Sequence, residues 1–201
     1  MRHISTRHDN YIRCALTNIV IAKRKAGRLF SHSNINKTKK IKPLHQWLLR
    51  RYTRNYAVVS DCMDTSIVMT AFCLEAFINF YAVHYGIDTM VGYNERIPTL
   101  KKWKQYPKIL TGSTMSQDSI NRLEMIFKAR NQLAHYKSRT TDAAYSYSLR
   151  NAIEIVNCVP IIFKDLATMQ SDVNSTIEYC IEVPEYADNI VLSQGQFCLR
   201  E

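Results

Sequence analysis

At 201 residues the chain is long enough for one domain with a real core, and a second independent domain is not expected. Apolar residues at 46% and charged residues at 22% are ordinary for a globular protein, and five Gly with five Pro favour helices over a turn-rich β architecture. The net charge of +10 sits at one end: residues 1–54 hold 14 Lys and Arg against the single acid Asp9, while residues 55–201 hold 13 against 16.

Residues 1–11 are polar and basic, and residues 14–22 form a short apolar run that ends in Lys23-Arg24-Lys25. Thr17 and Asn18 interrupt the run, and a basic cluster stands where a signal peptide would have a small-residue cleavage site, so the pattern predicts an amphipathic helix rather than a leader. A segment this basic suits a polyanionic partner, whether RNA, DNA or an acidic membrane surface, with strong salt dependence; a solvated basic arm is the plain alternative. Residues 31–42, rich in Ser, Asn and Lys, read as a loop. Pro43 suits a first helical turn, and Leu44, Trp47, Leu48 and Tyr52 mark the apolar side of a second helix.

A third helix is expected from about residue 56 to 85. Of the seventeen residues 67–83, only Thr70, Glu75 and Asn79 are polar. An internal Glu and Asn would be costly in lipid, so this run is expected to be the central helix of a bundle and not a membrane span. Glu75 and Asn79 lie four apart on one face, placed to hold a cation together or to orient an arginine. Gly86, Gly92 and Pro98 end the helix, and residues 101–108 follow with Trp103 and Tyr106 among lysines. That mixture suits gripping single-stranded RNA, or a short helix with Trp103 turned inward.

Residues 120–136 carry the chain's most chemical stretch. Ile120, Leu123, Phe127 and Ala134 recur at three, four and seven residues, and continuing the stripe past Phe127 lands on Arg130 and Asn131. His135 lies four residues beyond Asn131, with Arg130 about 140° around the helix from it. Arg supplies a planar fork of donors that matches phosphate oxygens, and His transfers protons near neutral pH. Packing explains the same residues if Arg130 snorkels, Asn131 is a satisfied amide and His135 sits at a helix C-terminus.

Arg130-Asn131-Gln132-Leu133-Ala134-His135 resembles the Arg, polar residue, three residues, His signature of the HEPN superfamily, all-helical domains of which many are metal-independent endoribonucleases. Phe127 and the upstream run Leu74-Glu75-Ala76-Phe77-Ile78-Asn79 extend the likeness, which covers about residues 56–166. In one HEPN toxin group a Tyr follows the His after one intervening residue, whereas here Tyr136 follows directly. The resemblance implies a homodimer with a composite active site, in which Arg130, His135 and Asn131 are catalytic and Glu75, Asn79 and Tyr136 support them. Lys128, Lys137 and Arg139 would bind RNA. It also implies a toxin or phage-defence role, with an antitoxin protein as a possible partner. The alternative is a non-catalytic helical dimer that binds nucleic acid or a partner protein.

A last helix is expected from Asp142, buried through Ala152, Ile155, Val156, Val159, Ile162, Phe163 and Leu166, with a kink at Pro160. Ile177, Tyr179, Ile181 and Val183 alternate with Glu178, Cys180 and Glu182 at strand period, so residues 171–201 are expected to form an acidic extension with a β hairpin or an extended tail. The six cysteines show neither a Cys-x-x-Cys pair nor a zinc-spaced Cys/His cluster, so no metal and no cofactor is expected, and a reducing, cytoplasmic setting follows. The expected organisation is thus a basic helix and loop (1–42), an all-α antiparallel helical bundle (43–170) and the C-terminal extension.

Overall fold

The longest apolar stretch becomes the helix around which the others pack. In the computed structural model the described residues are 7–33, 44–87, 97–134 and 147–170; of residues 7, 27–33 and 44–53 only the helical backbone is described. They form five helices and no strand: α1 (Arg7–Ser33), α2 (Leu44–His84), α3 (Thr99–Thr111), α4 (Gln117–Ala134) and α5 (Leu149–Met169). The fold of these residues is all-α. The expected β hairpin falls in residues 171–201, outside them.

α2 joins two helices that the sequence reading keeps apart. Between Tyr52 and Tyr56 stand Thr53, Arg54 and Asn55; only Thr53 and Asn55 are weak helix formers and none is Gly or Pro, so nothing breaks the hydrogen-bond ladder. From Val59 to Ala82 the buried residues recur every three or four positions and cover one broad side of the helix, with Ile67, Ala71, Cys73, Leu74 and Ile78 fully enclosed. The segment Arg54–His84 is long and apolar enough to cross a membrane, and 56% of its most apolar window is buried inside the bundle.

α1 runs antiparallel to α2. The Ser66 hydroxyl is 2.9 Å from the Ala15 carbonyl, Tyr11 meets Phe72, and His8 meets Phe77 edge-on. Ile12, Ala15, Leu16, Ile19 and Ala22 form the buried stripe of α1 and belong to the same core as α2.

α3 turns Lys102, Trp103, Tyr106 and Pro107 inward. Trp103 is fully enclosed, stacks on Phe77 and donates its indole N–H to the Leu74 carbonyl at 3.2 Å. The aromatics of residues 101–108 are therefore core and not a stacking platform for RNA. Gly112, at φ 74°, ends α3 in the left-handed region and returns its N–H to the Lys108 carbonyl, a conformation that would strain any residue with a Cβ.

α4 and α5 are antiparallel. Asp165 accepts hydrogen bonds from the Ser116 N–H and hydroxyl, both at 2.9 Å, Arg122 reaches Cys158, and the Tyr147 hydroxyl donates to Gln132. α5 begins at Leu149 rather than at Asp142, because Ser148 and Asn151 form a reciprocal capping box there. The expected buried side of α5 is buried, and Pro160 sits within it without ending the helix at that point. The buried side of α4 is Ile120, Leu123, Ile126, Phe127 and Ala129, with Leu133 partly buried. Ala134, expected in the stripe, lies on the same side as Phe127 but is exposed, at the last residue of α4.

Candidate functional site

Arg130 stands where the apolar stripe of α4 reaches the edge of the bundle. Its side chain is 28% exposed, enough for the aliphatic stem to cover core residues while the guanidinium reaches the surface. One guanidinium nitrogen, Nη2, pairs with Glu75 Oε2 of α2 at 3.1 Å, and Nη1 donates to Asn131 Oδ1 at 3.1 Å. Nε is buried and, among the described residues, has no acceptor within hydrogen-bond distance. A buried donor left unmade costs about 1–3 kcal/mol. The Arg130–Glu75 contact is thus a single-point one, and the Nε/Nη2 edge that matches an oxyanion bidentately has only one of its two donors engaged.

Glu75 is half-buried, its side chain 37% exposed, and acts as the expected partner of Arg130. Asn79 does something different from its expected role. Its Oδ1 accepts from Lys102 Nζ of α3 at 2.7 Å, so the carboxamide one turn along α2 anchors a lysine, while the guanidinium goes to Glu75 and Asn131. The α2 face carrying Glu75 and Asn79 therefore holds two cations, one from α4 and one from α3. Lys102 is the residue that sequence reasoning missed. The signal was present, since Lys102 lies four residues before Tyr106 on the buried stripe of α3, but a lysine between Lys101 and Trp103 reads as surface.

Asn131 is exposed rather than in the core, and its amide serves the guanidinium beside it. Lys128 is exposed, and two residues before Arg130 it lies about 200° around the helix, so α4 does not bring the two to one spot. His135, Tyr136, Lys137 and Arg139 lie outside the described residues. Among the described residues no group of three or more His, Cys, Asp or Glu is placed to hold a metal ion. Cys14, Cys62 and Cys158 are free thiols, and burial pushes the Cys62 and Cys158 thiols above their ordinary value.

The arrangement defines an all-α bundle whose central helix presents a carboxylate and a carboxamide to cations from two neighbouring helices. Compared with protein-family models, with curated proteins and with solved structures, the chain matches none.

Proposed function

We propose that this protein is a metal-independent endoribonuclease of the HEPN type, acting as a homodimer in which the motif helices of two protomers form one cleft. The observation that carries the reading is Arg130: a guanidinium at the bundle edge, held by one carboxylate oxygen, with Nε unsatisfied, five residues before His135 in the Arg-polar-x-x-x-His pattern. Nε is closed to solvent, so a phosphate oxygen meets the guanidinium on its Nη1 side, beside the exposed Asn131.

In this mechanism the RNA 2′-oxygen attacks the adjacent phosphorus while a general base takes its proton. The bond from phosphorus to the 5′-oxygen breaks as a general acid protonates that leaving oxygen. The products are a 2′,3′-cyclic phosphate and a 5′-hydroxyl. His135 supplies acid or base, Arg130 stabilises the charge on the phosphorane, and Asn131 holds the guanidinium. Glu75 positions Arg130 from α2, Tyr136 supports the site, and Lys128, Lys137 and Arg139 bind RNA. RNA is the substrate; toxin or phage-defence duty in the cytoplasm, with an antitoxin as partner, is the setting the resemblance implies.

The test is cleavage of a mixed RNA substrate by purified protein in excess chelator, beside Arg130→Ala and His135→Ala variants whose circular dichroism matches the parent. Cyclic-phosphate products from the parent, reduced by about 10²–10⁴ in each variant, establish the activity and both residues. Intact RNA in every lane, with salt-sensitive binding retained, replaces this reading with the non-catalytic binding module.

A further inference from the structure

α3 carries four lysines and no acid, and the helix sorts them by direction. Lys102 turns inward to Asn79, while Lys101, Lys104 and Lys108 are exposed. Spacings of three and four residues keep these three within about 60° of one another around an ideal helix, so they form one outward row. Trp103 and Tyr106, which stand among them in sequence, lie on the opposite, buried side.

α4 sets a second row beside the first. Residues 112–116 join the two helices, and Lys104 Nζ meets Glu124 Oε1 across the seam between them at 2.8 Å. Glu124, Lys128 and Asn131 are exposed and, spaced by four and three residues, share one side of α4. Away from the loop, the row on α3 continues to Lys101 and the row on α4 to Lys128 and Asn131. Among the described residues Lys101, Lys108 and Lys128 are in no ion pair, and Glu124 is the one acid on either row. Four lysines thus line the seam against one glutamate. The row on α4 ends at Asn131, whose Oδ1 accepts from Arg130 Nη1 at 3.1 Å, the guanidinium nitrogen not committed to Glu75.

We propose that the α3–α4 seam is a phosphate track that holds a single RNA strand and leads it to the Nη1 side of Arg130. A row of unpaired ammonium groups supplies point charges to successive phosphates. Lys101 and Lys108 are seven residues apart, about 11 Å, which a stacked strand covers in about three nucleotides at roughly 3.4 Å each. The exposed large apolar side chains of the two helices are Ile109 and Met125, neither of them aromatic. The strand is therefore gripped by its backbone and not by stacked bases, and binding is independent of sequence. An anionic membrane does not fit this surface. A helix that lies in a bilayer surface needs its apolar face free, and that face of α3, with Trp103, Tyr106 and Pro107, is buried in the bundle. The choice of RNA rests on the ribonuclease reading; the binding of a polyanionic strand by the seam does not.

The experiment measures binding of a labelled single-stranded RNA of about twelve nucleotides to the full chain across a salt series, the strand 2′-O-methylated so that it lacks the attacking hydroxyl. Lys101→Gln with Lys108→Gln is compared with Arg13→Gln and Lys164→Gln, an equal loss of charge from exposed positions on α1 and α5. Two lost phosphate contacts lower the slope of log K against log salt by about 1.4, and the control pair leaves it unchanged. Glu124→Gln acts in the opposite direction, because it removes the one acid of the seam and frees Lys104. The slope steepens by about 0.7 and binding tightens about fivefold at about 0.1 M salt, a gain that a damaged fold does not produce. Equal slopes in the seam and control pairs overturn the track, as does a Glu124→Gln protein that binds no tighter than the parent. Poly-glutamate bound through Lys101 and Lys108, with RNA binding indifferent to them, makes the seam a face for an acidic protein and also overturns the track. The two readings fail separately. Seam-dependent binding of the methylated strand, with unmodified RNA left intact by the parent, removes the nuclease and keeps the track. Cleavage of unmodified RNA with the same KM in the parent and the Lys101→Gln, Lys108→Gln protein removes the track and keeps the nuclease.

Discussion

Glu75 and Arg130 are each about one-third exposed, and that fraction governs what their contact is worth. Water screens the pair, so it contributes on the order of 0–1 kcal/mol to stability. Glu75→Gln retains an acceptor oxygen and removes the charge that draws the guanidinium to α2. Its unfolding free energy is expected to stay within about 1 kcal/mol of the parent, while RNA cleavage falls roughly tenfold in kcat with KM little changed, about 1.4 kcal/mol of transition-state stabilisation. Denaturant unfolding beside steady-state cleavage separates the two effects, and a Glu75→Gln protein that unfolds readily would make the pair structural. A second carboxylate behaves in the opposite way. Burial, and then the charge of Asp61, hold the Asp64 carboxyl above its ordinary value. The native state therefore binds this proton more tightly than the unfolded chain. The favourable contribution is present below the ordinary carboxylate range and is lost as pH rises through the raised value. Asp64→Asn is expected to raise the melting temperature at pH 7, and the gain is expected to vanish near pH 3, below the ordinary value of about 3.9. A gain that is equal at both pH values would contradict the raised pKa.

At the scale of elements, periodicity located the interior of each helix far better than its ends. The stripes Ile120–Leu123–Phe127 and Ala152–Ile155–Val156–Val159–Ile162–Phe163–Leu166 are buried as their spacing requires. The break expected between residues 52 and 56 is absent because Thr53 and Asn55, flanking the good helix former Arg54 and without Gly or Pro, do not stop a helix whose continuation beyond Val59 is packed. The start of α5 was missed because Ser148 and Asn151 lie among Tyr and Ser residues that advertise no boundary until the two side chains meet. That cap supports a quantitative expectation. Asn151 N–H donates to Ser148 Oγ at 3.1 Å and Ser148 N–H to Asn151 Oδ1 at 3.2 Å. Ser148→Ala should cost about 1 kcal/mol in denaturant unfolding, and the double variant with Asn151→Ala should cost less than the sum of the singles, since the Ser148 hydroxyl also donates to Asn151 Oδ1 and each single variant already removes that bond. The Arg130–Glu75 pair was readable from sequence because both residues interrupt apolar stripes. The Asn79–Lys102 link was not, since a lysine in a basic segment carries no sign of which way it faces.

For the whole molecule, the question is whether one chain can hold a phosphate between Arg130 and His135. Contact with Glu75 draws the guanidinium toward α2, while a residue five positions further lies about 140° around an ideal helix. A phosphate reaching both from a single chain must straddle the end of α4, whereas a second motif helix across a two-fold axis offers each residue a partner on its near side. The composite cleft therefore makes a prediction that concerns neither residue alone. Arg130→Ala protein and His135→Ala protein, each inactive, are co-expressed so that dimers form at random and about half contain one chain of each kind. Such a mixed dimer keeps one Arg130 and one His135. Cleavage should reappear in the mixture, scale with the fraction of mixed dimers and be absent when the two proteins are purified apart and combined under conditions that prevent exchange. If both residues act within one chain, no dimer in the mixture contains a complete pair and the co-expressed sample stays as inactive as its parents. That result would leave Arg130 and His135 to act across the end of their own helix.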